Sequence, residues 1–336
     1  MRSNAMFKRK TLAAFLALPA LFFLAGCGES GTFVAGGGTG GTGISTGAIT
    51  GFGSVIVNDV EFTVSPGAVI RLNDNVVLES DLRVGMIVKL RGTFNADRIT
   101  GTADSIEAES NVQGGISVLD LGEGSFSVLG LKTFVDNQTI YSGVSGLNDL
   151  QLNDVVRVFG FRDFLGDIRA TFVERLSGSG GEEEIFGIVT DKDVIPNTFM
   201  LGGFLLVDYV IRNPEIEPTG SSFDNGDPVE VEGVFNVGTG RFEATGIERE
   251  DIEDSEFIPL EGEKVEVEGF ASDVTEIAPG IFTLSVDGVP VRADAGTSYE
   301  GGTSADLRDN IRMEAEGVWT MIGVDLVLVA EKIEFE

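Results

Sequence analysis

From residue 47 to the C-terminus, apolar and polar side chains alternate with a period of two in short runs. Val229 and Val231 alternate with Glu230 and Glu232, and Ile311, Met313 and Ala315 with Arg312, Glu314 and Glu316. This pattern sets one face of a strand against a core and the other in water. No stretch of the region carries the 3.6-residue period of an amphipathic helix, so the pattern predicts an all-β chain. Paired runs predict hairpins over residues 54–64, 126–135, 199–207 and 282–291. Asp287-Gly288 is a strong hairpin-turn dipeptide, and Asn58-Asp59 and Gly202-Gly203 fit the same role.

The elements recur four times. Short glycine-led segments, GAIT at Gly47, GGIS at Gly114, GIVT at Gly187 and GFAS at Gly269, each precede a longer one: LRVGMIVKLRG, LQLNDVVRVFG, FDNGDPVEVEG and LRDNIRMEAEG. The longer segments close on Gly92, Gly160, Gly233 and Gly317, which lie 45, 46, 46 and 48 residues after the leading glycines. A further strand follows each closing glycine. Units two and four also share a turn pattern: Asp136, Thr139 and Tyr141 correspond to Asp294, Thr297 and Tyr299. Its simplest role is to fix a turn; a ligand contact is the other.

Each unit therefore holds about five or six strands, and a sheet that small protects its edges by closing. The predicted fold class is all-β: tandem small antiparallel OB-like barrels, about four repeats, after a signal peptide and a flexible linker. The helix usual in an OB-fold would fall near residues 142–154, a stretch too short and too glycine-rich to form much of one. The predicted boundaries are a leader at 1–26, a Gly-rich tether at 27–46, repeat one at 47–110, repeat two at 111–178, repeat three at 184–250, an acidic linker at 251–262 and repeat four at 263–336.

The pattern GxITGFGSVxVNxVxF, LxxGMxVxxxGxF and AxxIE, carried by residues 47–62, 82–94 and 103–107, resembles an uncharacterised bacterial domain of unknown function found as repeats in exported and lipid-anchored proteobacterial proteins. Units one and two match well, three and four more loosely. The resemblance implies an OB-like β-fold and an envelope location, and it assigns no catalytic or binding residues.

The N-terminus points the same way. Arg2, Lys8, Arg9 and Lys10 precede an apolar run, residues 11–26, too short to be a confident membrane span. Leu24-Ala25-Gly26-Cys27 resembles the lipobox of bacterial lipoproteins, which implies lipidation of the Cys27 thiol and cleavage just before it. Two or three acyl chains anchor stably, where one alone is marginal. Gly28 rather than Asp at the next position favours, by analogy with enterobacterial lipoproteins, the outer membrane. The expected site is lipid-anchored there, facing the periplasm or the cell surface. The glycine-rich stretch after Cys27 contains a formal GxGxxG, residues 38–43, but no strand precedes it and no helix follows, so it reads as tether.

Composition narrows the function. Cleavage after residue 26 leaves 19 basic against 54 acidic side chains, a formal charge of −35. Nucleic-acid binding rests on neutralising phosphates with Lys and Arg, so no nucleic-acid partner is expected. There is no histidine and Cys27 is the only cysteine, which removes Ser-His and Cys-His pairs and imidazole metal ligands. No enzyme activity, no cofactor and no dedicated metal site are expected; Asp191-Lys192-Asp193 is only a fragment of a calcium loop, and weak calcium binding stays open. The run 248–268 holds ten acids and two bases and reads as a solvated linker. With one Trp and three Tyr against 24 Phe, the aromatics suit cores more than sugar platforms, and Trp319 reads as core or rim. The leading expectation is a lipid-anchored envelope protein acting as a structural or interaction scaffold, its partners the membrane through Cys27 and envelope proteins or glycans. The alternative is a polysaccharide- or small-ligand-binding lipoprotein using its barrel faces.

Overall fold

The computed structural model describes residues 41–73, 75–177, 183–218, 222–236, 238–249, 257 and 259–336. The leader, Cys27, most of the tether and most of the acidic linker lie outside the described residues. Unit one consists of β1 (Gly41–Gly51), β2 (Val55–Val57), β3 (Val60–Leu72), β4 (Asn75–Val76), β5 (Ile87–Phe94) and β6 (Thr100–Ala108). Unit two has β7 (Val112–Asp120), β8 (Ser125–Val128), β9 (Leu131–Phe134), β10 (Ile140–Ser142), β11 (Val155–Arg162) and β12 (Ile168–Arg175). Unit three has β13 (Glu183–Thr190), β14 (Thr198–Leu201), β15 (Leu205–Asp208), β16 (Glu215–Glu217), β17 (Pro228–Asn236) and β18 (Arg241–Arg249). Unit four has β19 (Lys264–Ala278), β20 (Ile281–Val286), β21 (Val289–Ala293), β22 (Ser298–Glu300), β23 (Arg312–Ile322) and β24 (Asp325–Phe335).

Every unit closes in the same way. The first strand pairs antiparallel with the second and the second with the third; the fifth pairs antiparallel with the sixth and returns to the first. The third runs parallel to the sixth, which is the one parallel seam of the barrel. The result is a five-strand closed barrel of OB-like topology. The short fourth strand extends the parallel seam in units two to four, whereas in unit one β3 continues over Val69–Leu72 and makes that extension itself. Where an OB-fold carries its helix, single turns of 3-10 helix stand at Glu79–Asp81, Leu147–Asp149 and Ser304–Asp306. Asp81, Asp149 and Asp306 accept backbone N–H bonds from Leu78, Ser145 and Thr303 at these turns.

The recurring glycines have a steric cause. At each closing glycine the fifth strand is bulged against the sixth. A Cβ there would stand 2.0 Å from the Thr102 carbonyl oxygen at Gly92, 2.3 Å from that of Arg169 at Gly160, 2.5 Å from that of Glu243 at Gly233 and 2.1 Å from that of Val329 at Gly317. The leading glycines make room for the hairpin that folds over the first strand: a Cβ at Gly47 would meet Asn58 Oδ1 at 2.2 Å, and one at Gly269 would meet the Asp287 side chain at 2.8 Å. All four hairpin turns place two residues in the left-handed region: Asn58-Asp59, Leu129-Gly130, Gly202-Gly203 and Asp287-Gly288. That is the primed turn whose twist matches the flanking strands.

The units are joined edge to edge. β1 runs parallel to β19, with Gly43 opposite Lys264 and Ser45 opposite Glu266, and β7 runs antiparallel to β13. Two twelve-stranded sheets result, one from units one and four and one from units two and three. The cores of units two and three form one cluster, and Phe159 and Phe172 of unit two pack into the core of unit one. This arrangement corrects the tether boundary. Residues 41–46 are strand, held between β5 and β19. Their glycines reflect crowding: a Cβ at Gly43 would lie 2.5 Å from the Lys264 carbonyl oxygen and 2.7 Å from the Phe94 ring.

Candidate functional site

Cys27, the one residue assigned a site by sequence, lies outside the described residues. Trp319 is buried in the core of unit four, 6% exposed, and offers no platform. The shared turn pattern does fix a turn. Thr139 Oγ1 accepts from the Asp136 N–H at 3.0 Å and donates to the Ala170 carbonyl at 2.8 Å, while Thr297 accepts from Asp294 at 2.9 Å and donates to Ala330 at 2.8 Å. In each case the Asp caps the turn through Oδ1. Asp193 is likewise engaged locally, accepting from the Asn197 N–H and the Tyr209 hydroxyl. Among the described residues no group of three or more Cys, Asp or Glu could hold a metal ion.

The reading of 248–268 as solvated linker is overturned at its C-terminal end. Glu263, Glu266 and Glu268 are buried, because β1 covers this edge of unit four. Glu263 pairs with Arg91 of unit one at 2.7 Å. Glu268 accepts from the Ala48 N–H at 3.1 Å and is gripped by Arg312, which also meets Glu336 at 3.0 Å. Glu266 accepts from Ser45 Oγ at 3.1 Å, and burial, reinforced by Glu314 and Glu316, pushes its carboxyl up to about 9. Burial likewise pushes Glu314 up to about 8. Glu263, Glu266 and Glu268 stitch units one and four together.

Two clefts lie between units. One cleft of about 710 Å³ opens between units one and two, where Phe52, Leu82, Val84, Ile140 and Tyr141 supply a largely apolar wall. A second, of about 460 Å³, adjoins it through Val84 and Ile140 and reaches unit four. Its polar wall includes Asp136, Gln138, Arg169 and Arg312, with the Glu123 carboxylate beside them. Arg169 lies over the Phe134 ring at 4.1 Å and Arg312 over Phe161 at 5.1 Å. Arg169 is held by buried Asp163 at 2.7 Å. Sequence reading did not single out Gln138, Arg169 or Arg312. Gln138 and Arg169 belong to unit two and Arg312 to unit four, and no local motif joins them; the only signal was the scarcity of basic residues.

Comparison with known proteins agrees with the repeats. No curated protein matches the chain. Among solved structures it is similar to drosophila Unr CSD456, at 14% identity and a TM-score of 0.19, with 68% of this chain and 97% of that one covered. The family described as "Domain of unknown function (DUF5666)" matches residues 45–107, 113–174 and 272–334. Unit three falls outside these matches, yet its strand order and bulged closing glycine are those of the other three. With more than half of its residues matched in three separate copies, the chain belongs to the DUF5666 family.

Proposed function

We propose that the protein is a lipid-anchored cell-envelope scaffold: a rigid acidic body of four OB-like barrels, tethered through acylated Cys27 to the bacterial outer membrane and presenting its outer faces to envelope partners. The observation that carries the scaffold reading is the edge-to-edge joining of the barrels into two continuous sheets, which fixes the relative positions of their outward faces. The absence of histidine, and a single cysteine placed in a lipobox-like sequence, support a role without chemistry. The excess of acids supports the absence of nucleic-acid binding. Calcium binding, where it occurs, is weak and spread over surface carboxylates.

Metabolic labelling with a clickable fatty acid, followed by membrane fractionation on a density gradient, tests the anchor. Wild type is expected to label and to travel with outer-membrane fractions, and Cys27→Ala to lose both properties. Equal labelling and equal membrane association of the variant would overturn the anchor.

A further inference from the structure

The cleft between units one, two and four carries two guanidiniums prepared in the same way. Arg169 gives Nε and Nη2 to Asp163 and lies against the Phe134 ring. Arg312 gives Nε and Nη2 to Glu268, meets Glu336, and lies against the Phe161 ring. In neither does Nη1 have a hydrogen-bond partner among the described residues. Both residues line one cleft, so each brings a guanidinium with an unused donor nitrogen to its wall. Acceptors stand on the same wall. Asp136 uses Oδ1 to cap its own turn, and the carboxamide of exposed Gln138 has no partner among the described residues.

The charge of these arginines is already offset by Asp163, Glu268 and Glu336, and the chain as a whole carries −31. The wall is therefore a set of fixed donors and acceptors without a positive field to attract an anion. A ligand that both donates and accepts at closely spaced positions fits it, and hydroxyl groups do this. The adjoining cleft supplies the complement. Phe52, 44% exposed, together with Ile140 and Tyr141, offers aromatic and aliphatic surface for the C–H faces of rings. The two clefts share Val84 and Ile140 in their walls and so lie side by side, which suits an elongated ligand.

We propose that this inter-unit cleft binds a neutral oligosaccharide, its hydroxyls on Arg169, Arg312, Asp136 and Gln138 and its ring faces on Phe52 and Tyr141. The site exists only because three barrels meet there. It does not depend on the lipid anchor, so its failure and that of the anchor are separable.

Isothermal titration of the purified full chain in detergent with cello-, malto-, laminari- and chito-oligosaccharides, and with oligogalacturonate as the anionic arm, tests it. At least one neutral series is expected to bind with a dissociation constant below about 1 mM, and more tightly than oligogalacturonate. The double variant Phe52→Ala/Gln138→Ala changes two exposed side chains; it is expected to weaken that binding by about tenfold or more with the thermal midpoint unchanged. Val324→Ser, at an exposed turn of unit four, is expected to leave binding as in wild type. No binding by any neutral series, preference for oligogalacturonate, or undiminished binding by the double variant would each overturn the proposal.

Discussion

Gly317 shows how one missing methyl group permits a barrel to close. The carbonyl oxygen of Val329 would lie 2.1 Å from a Cβ at that position, and the obstacle is backbone, which cannot rotate away as a side chain could. Gly317→Ala is expected to destabilise the protein by about 3 kcal/mol in urea unfolding, the upper end of overpacking costs. Gly280 has a left-handed φ of 72° but open space around it, so Gly280→Ala is expected to cost only about 1 kcal/mol. A second single-residue effect is electrostatic. The Glu266 carboxyl faces Ser45 from β1, Lys264 along its own strand, and Glu314 and Glu316 from β23. Its folded pKa of about 9 lies above the ordinary 4.5, so the folded state retains a proton that the unfolded chain releases. Stability from this group is full at low pH and is lost as pH rises from 4.5 to about 9. The urea midpoint should fall across that window, and Glu266→Gln should flatten the fall.

At the scale of elements, β1 has two jobs. It pairs with β5 along residues 41–48 as part of the barrel of unit one, and over residues 43–46 its other edge bridges to β19. Gly43→Val would push side-chain atoms into the Lys264 carbonyl and the Phe94 ring, parting the bridge while leaving the hairpin intact. Hydrogen exchange at residues 264–267 is expected to speed up in that variant, with exchange in β20 and β21 unchanged. The Asp-Thr turns form a second element-scale device. Thr139→Val and Thr297→Val keep shape but strand a backbone N–H and a carbonyl at each site, at an expected cost of about 1–3 kcal/mol apiece. A loss below that in urea unfolding would show that the turn is held by its Asp alone.

For the whole molecule, the seams decide whether four small barrels behave as four folding units. Barrels of this size bury only about 60% of their unfolded surface when alone, which leaves them marginal. Here unit two shares a core with unit three, lends Phe159 and Phe172 to unit one, and meets unit four through Arg312 over Phe161. The described residues accordingly fall in one compact unit. Trp319, the only tryptophan, reports on unit four, whereas far-ultraviolet circular dichroism reports on every strand. The two probes are expected to give coincident urea transitions. A fluorescence transition at lower urea than the dichroism would show that unit four unfolds by itself.

What the amino-acid sequence determines by itself is local. Period-two alternation sets the strands, and Asn, Asp and Gly at left-handed positions set three of the four hairpin turns. The fourth, Leu129-Gly130, carries no such dipeptide signal at its first position, because Leu129 is held there by the core it enters. The spacing of the glycines exposes the repeat, since each repeat meets the same carbonyl at the same bulge. What joins the barrels depends on contacts between residues far apart along the chain, Gln113 with Glu184 in one seam and Ser45 with Glu266 in the other, and alternation within a strand is silent about which edge another strand will cover. The glycines of residues 41–46 read as flexible linker because composition does not distinguish a glycine needed for freedom from one needed for closeness. Glu266 and Glu268 read as solvated for the same reason: their polar face is set by period two, and only the arrival of β1 buries it. The cleft belongs wholly to the tertiary level, because its donors, acceptors and ring surfaces come from three barrels and exist as a site only once those barrels dock.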